Sequence, residues 1–177
     1  MIDGRGDTFG SFSSFKLDHT TWRKHANGSY SGTLYTLPDR GYNVAGLIAY
    51  PARIQQMGLT FTPDYTANNV GQTQLALSLQ RTISVTDFAG QTTTAVDPTG
   101  ATSLQGYSNV ATAGGKFAID GEGLAMRADG SFYISDEYGA TVYHVSKTGQ
   151  MLGLITPPQA LLPQFSAVSG YTGFTTA

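Results

Sequence analysis

The sequence contains no cysteine, which excludes disulfides, thiolate-bound metal and a cysteine nucleophile together and leaves the redox compartment unreadable. Charge is also scarce: 12% of the 177 residues are charged, against roughly a quarter in ordinary soluble domains. The formal net charge is −2 and no cluster of Lys or Arg occurs, so a nucleic-acid footprint is absent. No apolar run approaches the roughly 20 residues that span a bilayer as a helix. The three histidines, His19, His25 and His144, show no metal-ligand spacing. There is no Gly-x-Ser-x-Gly elbow, so a serine-nucleophile esterase of the usual kind is unsupported. The opening Met1-Ile-Asp-Gly4 has no basic segment leading into an apolar run, and no signal peptide is expected in this chain.

Glycine, with 22 residues, fills the deficit together with Thr and Ser, a mixture suited to many short strands and turns. No long run carries the helical period; apolar alternation predicts strands over Ile54–Thr62, Leu75–Val85 and Thr141–Ser146, aromatic and β-branched residues predict one over Ser29–Leu37, and Gln150–Ile155 reads as a further strand. Gly4–Asp18 reads as a loop running into a strand, its Arg5-Gly6-Asp7 tripeptide as a turn. His19–Asn27 reads as a polar segment closed by a hairpin turn at Asn27-Gly28, the start of an Asn-Gly-Ser glycosylation triplet. Pro38 is expected to stop its strand and to leave Asp39 and Arg40 at the strand's mouth. Asp64–Gly71 and Gln91–Gly115 read as polar loops, the second an exposed excursion, and Gln159–Ala177 ends without a terminating element.

The richest stretch is Phe117–Gly139. It reads as two strands joined by Asp129-Gly130, a strong hairpin signal, with Asp120, Glu122, Asp136 and Glu137 spaced along it. The period of two puts Asp120 and Glu122 on one face, whereas only one of the adjacent Asp136 and Glu137 can join them, with Glu137 favoured. Carboxylate oxygens are hard ligands that suit Ca²⁺ or Mg²⁺ rather than Zn²⁺. The alternative is structural: such Asp residues cap backbone N–H groups in turns, and Arg pairs with Asp. Leu34–Gly41 and Phe132–Gly139 also match, sharing apolar-Tyr-x-x-Asp-charged with a Gly close behind, each after a small-residue turn. The interval of about 100 residues is about two blades of a propeller with 40–50 residues per blade. Chain 1–177 is therefore expected to be one all-β domain, a partial propeller of about three to four antiparallel blades with long loops.

Leu37-Pro-Asp-Arg-Gly41, Ile119-Asp-Gly-Glu-Gly-Leu124, Ser135-Asp-Glu-Tyr-Gly139 and Thr156-Pro-Pro158, in that order, resemble the phytase-like β-propeller proteins, the family of the esterase-like activity of phytase. The resemblance covers about residues 5 to 163, with 164–177 left as loop or partial blade. It implies a hydrolase of phosphoester or ester substrates in which axial carboxylates hold calcium. The metal ligands would be Asp120, Glu122, Asp136 and Glu137, with Asp39, Arg40, Glu122 and Tyr138 acting on substrate. It also implies a secreted protein of fungal type. The family domain is about twice this length and has a later Glu-Gly-Leu/Phe repeat, so the chain resembles its first half. The other readings are a propeller that binds a ligand or partner without turnover, and a fragment without a function of its own.

Overall fold

The computed structural model describes residues 2–40, 50–66, 74–104, 106–156 and 158, and two short strands at 163–165 and 174–176. Gly41, residues 67–71 of the expected polar loop and most of the tail lie outside the described residues. Among the described residues every element is a strand: β1 (Phe12–Lys24), β2 (Tyr30–Pro38), β3 (Arg53–Phe61), β4 (Leu75–Ser84), β5 (Gly100–Leu104), β6 (Tyr107–Ala113), β7 (Lys116–Phe117), β8 (Gly121–Met126), β9 (Phe132–Asp136), β10 (Val142–Val145), β11 (Met151–Ile155), β12 (Pro163–Phe165) and β13 (Phe174–Thr176). They form four antiparallel sheets, β1-β2-β3-β4, β5-β6-β7, β8-β9-β10-β11 and β12-β13. The chain is all-β, built from blade-like meanders without a closed barrel. Among the described residues no helix is long and apolar enough to cross a membrane.

The two four-stranded sheets pack face to face with their strands in matching order. β1 meets β8 where Leu124 N donates to Ser14 Oγ at 3.1 Å. β2 meets β9 through the Tyr35 and Phe132 rings, edge to face at 5.1 Å. Beyond β4, Thr86 forms a parallel bridge with Gln150, the residue before β11. Buried side chains fill the space between the sheets: Leu37, Ile54 and Ile83 from one side, Phe132, Ile134, Tyr143, Val145 and Met151 from the other, with Val85, Phe117 and Ile119. Fully burying each such side chain stabilises the fold by about 1.5–3 kcal/mol. The sequence match of Leu34–Gly41 with Phe132–Gly139 thus falls on the second strand of each sheet. Those sheets are direct neighbours, not two blades apart, because the intervening length includes the third sheet.

That third sheet corrects the expected excursion. Within Gln91–Gly115, Thr93, Thr94, Ala95, Val110 and Ala111 are buried, and the stretch contributes β5 and all of β6. Small side chains carry no periodic hydrophobic signal, yet they let Ala111, Ala113 and Ala118 close on Tyr138. β1 is a second correction. It runs through His19 as far as Lys24, and a register shift between Asp18 and Arg23 breaks the alternation that would have marked it. Pro38 ends β2 as expected, though it still pairs with Phe12.

The N-terminal segment latches onto the first sheet through a buried cation. Arg53 is fully buried, and its Nη1 reaches Asp3 Oδ2 at 2.5 Å and Asp7 Oδ2 at 2.7 Å while Tyr50 stacks on the guanidinium at 3.7 Å. Burial alone would raise Asp3, but Arg53, the N–H groups of Arg5 and Asp7, and Gln55 outweigh it and hold the carboxyl below its ordinary value. The Arg5-Gly6-Asp7 tripeptide is the turn expected of it: Arg5 donates to Ser84 Oγ at 2.8 Å and Asp7 faces Arg53. Replacing Arg53 by Met leaves a buried carboxylate unpaired and is expected to cost about 3–5 kcal/mol. Asp7→Asn, at a carboxylate 41% exposed, is expected to cost under about 1 kcal/mol. Urea midpoints of the two variants check this, and equal losses would contradict a buried anchor.

Candidate metal centre

The site lies at one end of the packed sheets, where β2 and β9 finish and β8 begins. Its organiser is Asp136, the last residue of β9, whose side chain is buried. Its Oδ1 accepts from Asp120 N at 2.8 Å and Tyr138 N at 3.3 Å, and its Oδ2 from Gly139 N at 3.0 Å. Glu137 N donates in turn to Asp120 O at 2.9 Å. The turn after β9 is therefore stitched to the residue before β8, and Ala140 within it adopts a positive φ of 47°. Such a backbone costs a non-glycine residue about 1–2 kcal/mol.

This stitching decides which carboxylates meet. Asp120, Glu122 and Glu137 each offer an oxygen, and these oxygens all lie within 4.8 Å of one another; Asp120 is buried and both glutamates are exposed. Asp120 and Glu122 converge across a register shift between Gly121 and Gly123, a bulge that replaces the regular strand expected there. Gly123 belongs to that bulge, since a Cβ on it would stand 2.5 Å from Ser135 Oγ. Asp136 is not in the cluster. Its carboxylate caps backbone N–H groups, the structural role weighed from sequence.

Arg40 and Tyr138 enter the site through a residue that sequence reasoning missed. Arg40 Nε bonds Asp120 Oδ2 at 2.7 Å and its Nη1 bonds Asp97 Oδ1. Tyr138 donates its O–H toward the same Asp97 oxygen at 2.9 Å, with Ala95 O at 3.3 Å, and its ring lies 5.2 Å from the guanidinium. Asp97 sits in a stretch without periodicity, and no local pattern marks it. Asp39 stands beside the cluster and takes a hydrogen bond from Ser13 Oγ at 3.2 Å. His144 is elsewhere, at 3.0 Å from Ser131 Oγ and against the Tyr133 ring, and His25 pairs with Ser31.

Asp120 is the strained member. Arg40 holds one of its oxygens, while Oδ1 is buried with no hydrogen-bond partner. Burial pushes its carboxyl up to about 6; Arg40 opposes this, and the charges of Asp39 and Glu122 add to it. Burial likewise raises Asp136 to about 7 against its three N–H donors. For Arg40, burial favours the neutral form, but Tyr138, Asp97 and Asp120 outweigh it and raise the group.

Comparison with known proteins agrees with this architecture. The sequence model of the phytase-like family, described as esterase-like activity of phytase, matches residues 7–174. The chain belongs to the phytase-like family. A relative from Arthroderma benhamiae, called an uncharacterized secreted protein, is 34% identical over 192 residues, covering 95% of this chain and 38% of the relative. This phytase-like chain thus spans under two fifths of the length of the curated relative it matches. No solved structure matches it.

A pH dependence follows from the carboxyls. With folded values of about 6 and about 7 against an ordinary 3.8, the fold holds the protonated forms better than the unfolded chain does. The stabilisation they contribute is full below about pH 4 and is lost as pH rises through 6 to 7. In cation-free protein, a carboxyl ¹³C titration is expected to give Asp120 a midpoint near 6, and Arg40→Gln is expected to move it higher. A midpoint at the ordinary value of 3.8 would contradict the burial described here.

Proposed function

We propose that the protein takes part in hydrolysis of phosphoester or ester bonds with Ca²⁺ held by Asp120, Glu122 and Glu137. The observation that carries this reading is Asp120, a buried carboxylate that lies beside two exposed glutamates and whose Oδ1 has no donor. Arg40 pairs with the other oxygen, but burial and the charges of Asp39 and Glu122 outweigh it, and a further cation would relieve what remains. The donor set is all oxygen and all anionic, which fits Ca²⁺ or Mg²⁺, and the known calcium chemistry of related propellers favours the former. Three carboxylates leave part of a calcium shell of 6–8 ligands to water and substrate oxygens. Bound there, the cation would polarise the substrate's phosphoryl or carbonyl oxygen and lower the pKa of a ligated water.

The chain's own residues divide the remaining work. Glu122 and Glu137 present charge to solvent, where a small phosphoester or ester can approach. Arg40 acts on Asp120 more than on substrate: with Asp97 and Tyr138 it fixes one carboxylate oxygen and leaves the other for the cation. Asp39 adds negative potential beside it. Asp136 holds the backbone from which Asp120 and Glu137 project. Export from the cell is part of the same proposal and is supported by the secreted relative.

A second reading is favoured by one observation. Arg40 and Tyr138, two of the four residues expected to act on substrate, are both engaged with Asp97. A propeller that captures a ligand through the cation without turnover shares the cation site and lacks the reaction.

Calorimetric titration separates these ideas. Ca²⁺ is expected to saturate one site, and Glu122→Gln to weaken it about tenfold or more, equivalent to about 1.4 kcal/mol. Absence of binding, or equal binding by both proteins, would contradict the metal role. Cation-dependent release of phosphate from phytate, or of phenol from aryl esters, would support hydrolysis; binding without release would support capture.

A further inference from the structure

One sequence motif takes no part in the carboxylate centre. Asn27-Gly28-Ser29 forms the tip of the β1–β2 hairpin, closed by His25 N to Ser29 O at 2.8 Å and Gly28 N to His25 O at 3.0 Å. The turn uses only the oxygen of the Asn27 carboxamide: Oδ1 accepts from Ser29 N at 3.1 Å and from Ser29 Oγ at 2.7 Å. Asn27 and Gly28 are exposed. Gly28 has φ +83°, and no heavy atom lies within 4 Å of where a Cβ on it would stand. The tip therefore has open space around it.

Its place in the fold keeps that space open. Strands β1 to β4 hold 13, 9, 9 and 10 residues, while β8 to β11 hold 6, 5, 4 and 5. The contacts between these sheets, Ser14 with Leu124 and Tyr35 with Phe132, lie toward the Phe12–Pro38 end of the β1–β2 ladder. The Lys24–Tyr30 end projects past the shorter sheet. β2 alone separates the tip from Asp39 and Arg40, and nine residues at about 3.3 Å each put the two ends about 30 Å apart.

We propose that Asn27 is an N-glycosylation site. Asn27 Nδ2 bonds the anomeric carbon of an oligosaccharide carried on a polyprenyl diphosphate; Nδ2 gives up a proton, and the diphosphate leaves with the electron pair of the broken carbon–oxygen bond. Transfer takes place on the unfolded chain, and the folded hairpin then carries the glycan at a solvent-facing tip, remote from the cation site. This inference rests on the reading of the chain as secreted, because that route meets the lipid-linked donor.

The test supplies the route. Expressed behind a defined secretion leader in a eukaryotic host that glycosylates, the protein is expected to emerge heavier than its polypeptide by one glycan. Peptide N-glycosidase should remove that mass and leave Asp in place of Asn27 in the peptide map. Asn27→Gln and Ser29→Ala should each abolish the shift, Ser29→Thr should retain it, and Ca²⁺ titration of Asn27→Gln should match the unmodified protein. Secreted wild type at its bare polypeptide mass would overturn the proposal, as would a glycosidase-sensitive shift that survives Asn27→Gln. Because the leader is supplied, a chain that is modified here yet stays inside its native cells refutes the secretion reading and leaves the site standing.

Discussion

The Asp136 carboxylate is the constraint on which the end of this molecule depends. Buried at the close of β9, it gathers N–H groups from Asp120, Tyr138 and Gly139, donors that would otherwise be left unsatisfied where two strands end. Once those bonds are made, little freedom remains: Asp120 stands before β8, Glu137 turns outward toward Glu122, and the Tyr138 ring swings inward against Ala111, Ala113 and Ala118. A residue that does not enter the cluster thus decides which residues do.

The cluster so assembled is held in electrostatic tension. Asp120, Glu122 and Glu137 repel one another, with Asp39 adding its charge, and burial denies Asp120 the water that would screen it. Arg40 offsets part of this from one side only, because Asp97 draws it in the other direction and Tyr138 fixes Asp97. A buried carboxylate with an unpartnered oxygen, beside two exposed carboxylates, is a poor arrangement for stability alone. On the proposed function, a hard divalent cation held by Asp120, Glu122 and Glu137 would offset this charge.

How much of this could be read from sequence depended on whether a signal was local. Alternation placed β3, β4 and β10 because their side chains sort between core and solvent residue by residue. Asp129-Gly130 announced the hairpin, and strand parity allowed only one of Asp136 and Glu137 to join Asp120 and Glu122. The failures came where geometry or distance intervened. A register shift hid the second half of β1, and runs of Thr, Ala and Gly hid the burial within residues 91–115. Asp97 and its pairing with Arg40, 57 positions away, leave no trace in any window of sequence. The match between β2 and β9 was legible, whereas the face-to-face contact of their sheets was not, since an insertion of small residues counted as blade length.

Calcium-edge anomalous diffraction from crystals grown with Ca²⁺ tests the account at its centre. It predicts one peak bonded to Asp120 Oδ1, Glu122 and Glu137 at about 2.3–2.6 Å, with Arg40 still on Asp120 Oδ2 and the Asp136 carboxylate still on its three N–H groups. A vacant cluster at saturating Ca²⁺, or a peak on Asp136 with its backbone bonds broken, would contradict it.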